Sequence, residues 1–295
     1  MKTNSIILAL ALGIAYMQSA SAQTFKKVNV NNNTPLAQVA SGGNSVWALA
    51  NNGNPYRFNG TAFVLANPIS LSQIAVGGGN AAQADAVWGL NSSGSIYRAS
   101  KSGASWIFSQ VPGVLAVIAV GPGYLNSCHP YEVWGLNPSS QIYRYNFCGN
   151  HFEQVPGILC EIQVGGGEIW GAECGPKVYR FNIATSNFDE IGEPFGAFPE
   201  LTVGPNGVWA VDTSNGWFYQ YDDFLGFETV TCCFSQVQAG GDGVWALYGN
   251  AIYRFQSSLL SFRRIPGSLV SLSVGSGGGV WGINSSHQVF AFSTP

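Results

Sequence analysis

The chain has 295 residues, of which 9% are charged, 46% are hydrophobic and 38 are glycine, and its formal net charge is −3. Charged residues make up about 25% of an ordinary globular protein, and this sparse, slightly acidic complement excludes the overall basic footprint that nucleic acid or an anionic membrane requires. Such a chain must bury both faces of most of its strands and export its polarity to turns.

Taken in order, Lys2 is followed by an apolar run from Ile6 to Tyr16, too short for a bilayer span, and then by the cleavage-like Ala20-Ser21-Ala22. Residues 1–22 read as a secretory signal, leaving 23–295 as the mature, extracellular chain. No later run is long enough to span a bilayer, so no membrane insertion is expected.

The rest repeats. Trp47, Trp88, Trp134, Trp170, Trp209, Trp245 and Trp281 recur at spacings of 41, 46, 36, 39, 36 and 36 residues. Periods of this size mark a repeat architecture. Each tryptophan sits in a Val-Trp-Gly-like run behind a Leu-x-x-Ile-x-Val-Gly run, seen at Leu71, Leu115, Leu159 and Leu269. An Ile-Tyr-Arg-Tyr-like run follows it, then Phe-x-x-Val/Ile, which leads into Pro-Gly at Pro112, Pro156 and Pro266. Four short alternating runs per unit, separated by Gly, Pro, Asn and Ser, describe a propeller blade.

The expected fold is all-β: a seven-bladed β-propeller of four-stranded antiparallel blades. Leu-x-x-Ile-x-Val forms the innermost strand, Val-Trp-Gly the second, Ile-Tyr-Arg the third and Phe-x-x-Val the outermost. Phe25 to Val28 has no earlier strand to join, so the N-terminal strand should complete the last blade and remove its open edge. The residue after each tryptophan is Gly or Ala, and each indole is expected to rest on that small residue of the adjacent blade. Pro-Gly is expected to turn the chain.

The six cysteines permit 15 pairings, and blade topology favours one. Cys128 and Cys148 share one face of the disc, Cys160 and Cys174 the other, and Cys232 and Cys233 are adjacent. A secretory signal makes oxidation plausible.

Catalytic supply is thin. His129, His151 and His287 lack metal-ligand spacing, and there is no G-x-S-x-G, P-loop or calcium-loop pattern. No enzyme activity and no cofactor are expected; Glu132, Glu168 and Asp242 are the carboxylates that a rival glycan-processing reading would bring together. Aromatic rings beside hydrogen-bonding groups are plentiful, and sugars present apolar C–H faces with hydroxyl rims. The candidate carbohydrate-binding residues are Trp88, Asn91, Tyr97 and Arg98; Trp134, Asn137, Tyr143 and Arg144; Trp170, Tyr179 and Arg180; and Trp245, Tyr253 and Arg254. The same Trp and Arg also suit a structural cation-π lock repeated because the blade repeats, and both readings stay open.

The units VWALANNGNPYRFN, AVWGLNSSGSIYRAS, EVWGLNPSSQIYRYN, EIWGAECGPKVYRFN and GVWALYGNAIYRFQ, each behind its inner-strand run, resemble tectonin repeats over essentially the whole mature chain. The resemblance implies a β-propeller lectin similar to fish egg lectins, horseshoe-crab lectins and fungal tectonins, with innate-defence character. Its partners would be microbial glycans or lipopolysaccharide. Repeats five and seven depart from the pattern, carrying Gln220 and Ala291 where the others have Arg. Asn32, Asn59, Asn91 and Asn284 head glycosylation sequons; a glycan on Asn91 or Asn284 would exclude that turn as a binding site.

Overall fold

The computed structural model describes residues 24–43, 45–77, 86–122, 130–192 and 195–293, so the expected signal segment, Cys128 and His129 lie outside the described residues. Among the described residues the strands pair into seven sheets. Blades two to six run inner, second, third, outermost in chain order, as in blade three: Val117–Gly121, Glu132–Leu136, Gln141–Asn146 and His151–Ile158. The seven-bladed propeller of four-stranded antiparallel blades is therefore the observed fold.

The N-terminal strand Thr24–Lys27 pairs antiparallel with Val289–Ser293 and completes blade seven. Without it, the edge of Val289–Ser293 would be left unpaired. Blade one gains a strand the repeat pattern does not announce: Asn29–Val30 lies parallel to Ala62–Leu65 at its outer edge.

Pro-Gly does not behave as a turn in blades two and three. Pro112-Gly113 and Pro156-Gly157 lie inside the outermost strands Ser105–Val114 and His151–Ile158, at register shifts in their pairing with the third strands. An outermost strand tolerates proline because its missing N–H faces no neighbour. The glycines take φ of +119° and +115°, the left-handed side that a bulge needs.

The axis is closed by backbone contact. A side chain at Gly42, Gly77, Gly121, Gly165, Gly204 or Gly240 would come closer than 3.0 Å to the next innermost strand, so the inner strands converge only because these positions lack a Cβ. Side-chain clamps reinforce the ring. Gln38 accepts from the Ile74 N–H (3.1 Å) and donates to its carbonyl (3.0 Å), and Gln236 does the same with Leu272 (2.8 and 3.2 Å). Glu161 holds the equivalent place in blade four, where its carboxyl accepts from the Leu201 N–H at 3.0 and 3.1 Å.

The blades are joined by aromatic packing. Each tryptophan reaches across to the next blade and meets its rings edge-on: Trp134 against Phe181 at 4.7 Å and Phe188 at 5.7 Å, Trp170 against Tyr221 at 4.8 Å, Trp281 against Phe58 at 4.9 Å. The ring on the third strand is the residue after the motif arginine. Blade two has Ala99 there, and Trp106 from its outermost strand meets Trp47 instead, at 4.9 Å. The expectation that each indole rests on the small residue of the adjacent blade is thereby corrected at the four glycines, whereas Ala48, Ala210 and Ala246 share buried clusters with Trp281, Trp170 and Trp209 of the preceding blade. The space beside Gly89, Gly135, Gly171 and Gly282 is filled by Leu71, Leu115, Leu159 and Leu269 of the same repeat. An indole is too long to stop at the second strand of the next blade; it extends outward to the third and outermost strands, where rings are available.

Candidate functional site

Trp47, Trp88, Trp134, Trp170 and Trp245 have no accessible surface, and Trp209 and Trp281 almost none. Trp88, Trp134, Trp170 and Trp245 therefore offer no ring face to a sugar in the folded disc. Truncating such a side chain in a core typically costs about 3 to 5 kcal/mol.

The arginines complete the same structure. Strand pairing sets Arg144 opposite Trp134, Arg180 opposite Trp170 and Arg254 opposite Trp245, and each guanidinium lies 5.5 to 5.6 Å from its indole centroid. A carboxylate two or three residues before the tryptophan binds both. In blade three, Glu132 accepts from the Trp134 indole N–H at 2.8 Å and from Arg144 Nε and Nη2 at 2.9 and 2.6 Å. Glu132 is fully buried. In blade four Glu168 accepts from Trp170 at 2.6 Å and Arg180 at 2.5 Å, and in blade six Asp242 accepts from Trp245 at 3.1 Å and Arg254 at 3.2 Å. These three carboxylates, one per blade, do not converge. Blade two replaces the carboxylate with Tyr131 of blade three, whose hydroxyl accepts from Trp88 at 3.2 Å; burial pushes its ionisation upward against the lowering effect of Arg98. Arg98 lies 5.8 Å from the Trp88 ring and 5.1 Å from Phe147 of blade three.

The other candidates are placed as follows. Tyr97, Tyr143, Tyr179 and Tyr253 are half-buried and pack against the preceding blade. Asn91 and Asn137 are turn-formers, each accepting from backbone N–H groups two and four residues on at 2.8 to 3.0 Å. Asn137 also donates to Gln141. Cys160–Cys174 and the vicinal Cys232–Cys233 are disulfides, as topology predicts. Cys148 is disulfide-bonded, and its expected partner lies outside the described residues.

Two outer clefts between blades combine accessible aromatic surface with polar groups. Between blades one and two, a cavity of about 320 Å³ is lined by Arg57, Asn59, Lys101, Ser105 and the half-buried Trp106, with Arg57 5.4 Å from the Trp106 ring. Between blades five and six, a cavity of about 430 Å³ is lined by Thr231, the vicinal disulfide, Tyr248, Tyr253, Ser261 and Phe262. Only Tyr253 among these belongs to the sequence-derived candidates. Trp106 was readable in principle, because it is a second tryptophan in a repeat whose third strand carries Ala99 where others carry a ring.

The fold recurs widely. The WD40 domain of Neurospora crassa Pan2 superposes with a TM-score of 0.66 at 13% identity, covering 93% of this chain and 97% of that one. YCF48 from Cyanidioschyzon merolae gives 0.62 at 12%, over 91% and 98%. The WD40 propeller domain of Doa1 gives 0.63 at 9%, over 94% and 97%. At such identities these likenesses concern the fold alone. No curated protein matches the sequence. The family model described as Tectonin domain matches residues 14–193 and 181–294, and with the motif tryptophan repeated in all seven blades and the motif arginine in five, the chain belongs to the tectonin-domain family.

Proposed function

We propose that this chain is a secreted, non-catalytic, multivalent lectin for microbial surface glycans or lipopolysaccharide. The observation that carries the reading is the pair of outer clefts in which an accessible ring meets hydroxyl, amide or guanidinium groups: Trp106 with Arg57 and Asn59, and Tyr253 and Tyr248 with Thr231 and Ser261. An aromatic body beside directional polar groups suits a pyranose, whose C–H face packs on the ring while its hydroxyls are satisfied at the edge. Tectonin family membership supports the same reading.

Glycan and lipopolysaccharide arrays test it. The full chain should bind a reproducible sugar set in competition with free monosaccharide. Trp106→Ala and Tyr253→Ala should each weaken that binding, by about tenfold per lost ring contact if stacking contributes near 1.4 kcal/mol. A protein-binding platform is the second reading, favoured by Phe224, 96% exposed at the tip of a blade-five hairpin beside the exposed Leu225. Silence on the arrays together with capture of a protein through that tip would replace the lectin reading.

A further inference from the structure

The charges on the outer rim are segregated. Blades three to five carry Glu153, Asp189, Glu190 and Glu228 on their outermost strands, whereas blade six carries Arg263 and Arg264 and blade seven carries Lys26 and Lys27. A net charge of −3 hides this division. The motif arginine shows it most sharply. Across the third and outermost strands, Arg144 faces Glu153 and Arg180 faces Asp189, but Arg254 faces Arg263. Like charges directly opposite on a sheet are destabilising, and Asp242 supplies a carboxylate to Arg254 alone.

Three of the four acidic rim residues are already partnered within the disc. Asn146 donates to Glu153 at 2.7 Å, Asn182 to Asp189 at 2.8 Å and Lys177 to Glu190 at 2.8 Å. Among the described residues, the four basic side chains on the outermost strands of blades six and seven, Arg263, Arg264, Lys26 and Lys27, have no ion pair and are exposed. The two rims meet through the buried layer beneath them: Phe25 of the N-terminal strand packs on Trp245 of blade six at 5.8 Å, in the cluster that also holds Ile265 of the blade-six outermost strand. Strand alternation puts Lys27 on the same side as Phe25, toward blade six. Arg263, opposite Arg254 on the side of the Trp245 indole, faces back toward blade seven.

From this we infer that the blade-six and blade-seven rim, centred on Arg254 and Arg263, binds the tetrahedral oxyanion of a sulfated or phosphorylated glycan. Two guanidinium groups on adjacent strands provide forked donors suited to such an anion, and an anion between them relieves their repulsion. The inference rests on the lectin reading and names the substituent class its ligand carries. An acidic face of a second copy is the less favoured occupant, because three of the four carboxylates that would supply it are engaged at home.

The test uses the full chain with dextran sulfate, dextran phosphate and uncharged dextran, at two ionic strengths. Binding to one or both anionic polymers, weakened by salt and absent for dextran, is expected, and the stronger arm identifies the ester. Arg263→Glu, which recreates the pairing of blade three, should lower the affinity by about tenfold or more while keeping or raising the melting temperature. Lys177→Ser, a cation change on blade four that lines neither cleft, should leave it unchanged. Equal binding by wild type and Arg263→Glu, or no binding by wild type, overturns the inference. Salt-sensitive self-association that Arg263→Glu abolishes, without polymer binding, overturns it in favour of a second copy. Neutral-glycan binding on the arrays with no anionic preference sinks this inference alone, whereas silence toward every glycan sinks the lectin reading with it.

Discussion

Two glutamates show how position decides what the same residue type does. Glu161 takes the place of a clamping glutamine and accepts from the Leu201 N–H; only while protonated can it also donate to a carbonyl, as the glutamines do. Burial above all, opposed by hydrogen bonds from Gln163 and Leu201 and aided by the nearby Glu200, raises its ionisation from 4.5 to about 8. Below the unfolded value both states hold the proton. Between the two values the unfolded chain releases it while the folded chain retains it, so stability falls as pH rises through that window and levels off above it. Glu161→Gln should flatten this slope in melting temperatures measured from about pH 5 to pH 9. Glu132 is different: it is fully buried and committed to an indole and a guanidinium. Glu132→Ala strands both and should cost about 3 to 5 kcal/mol in denaturant unfolding. Glu168→Ala in the half-exposed copy should cost no more than about 1 kcal/mol.

At the scale of the strand, the repeat made the blades legible because period-two patterning and turn residues are local signals, and the copies reinforce one another. The N-terminal strand was legible for the same reason: Phe25 to Val28 is an outermost run with no blade of its own. Deleting residues 24–27 should remove the Phe25 contact with Trp245, lower the denaturation midpoint, and direct the first proteolytic cuts to blade seven. What stayed hidden depends on geometry across blades. The reach of Trp134 past Gly171 of the next blade to Phe181 follows from blade spacing and tilt, which no single repeat encodes. Pro112-Gly113 reads as a turn in a linear sequence, and only its place on an outermost strand makes it a bulge. Glu132, Glu168 and Asp242 stood out only as loose carboxylates, although their offset of two or three residues before tryptophan was in plain view.

For the whole disc, the account separates two jobs that the sequence presents in one motif. Trp, Arg and a carboxylate fasten blade to blade, while ligands meet the outer clefts around Trp106 and Tyr253 and the basic rim; only Arg57 and Arg254 among the motif arginines stand at both. Several weak sites on one rigid body would gain avidity on a repetitive surface without any new contact. Arg144 separates the two jobs most directly, because it lies beside Trp134 and Glu132 and lines neither described cleft. Thermal unfolding and glycan binding of Arg144→Gln should be measured on the same preparation. A melting temperature lowered by several degrees, with sugar affinity per folded molecule unchanged, is the result expected of a lock; an unchanged melting temperature with sugar binding lost would contradict it.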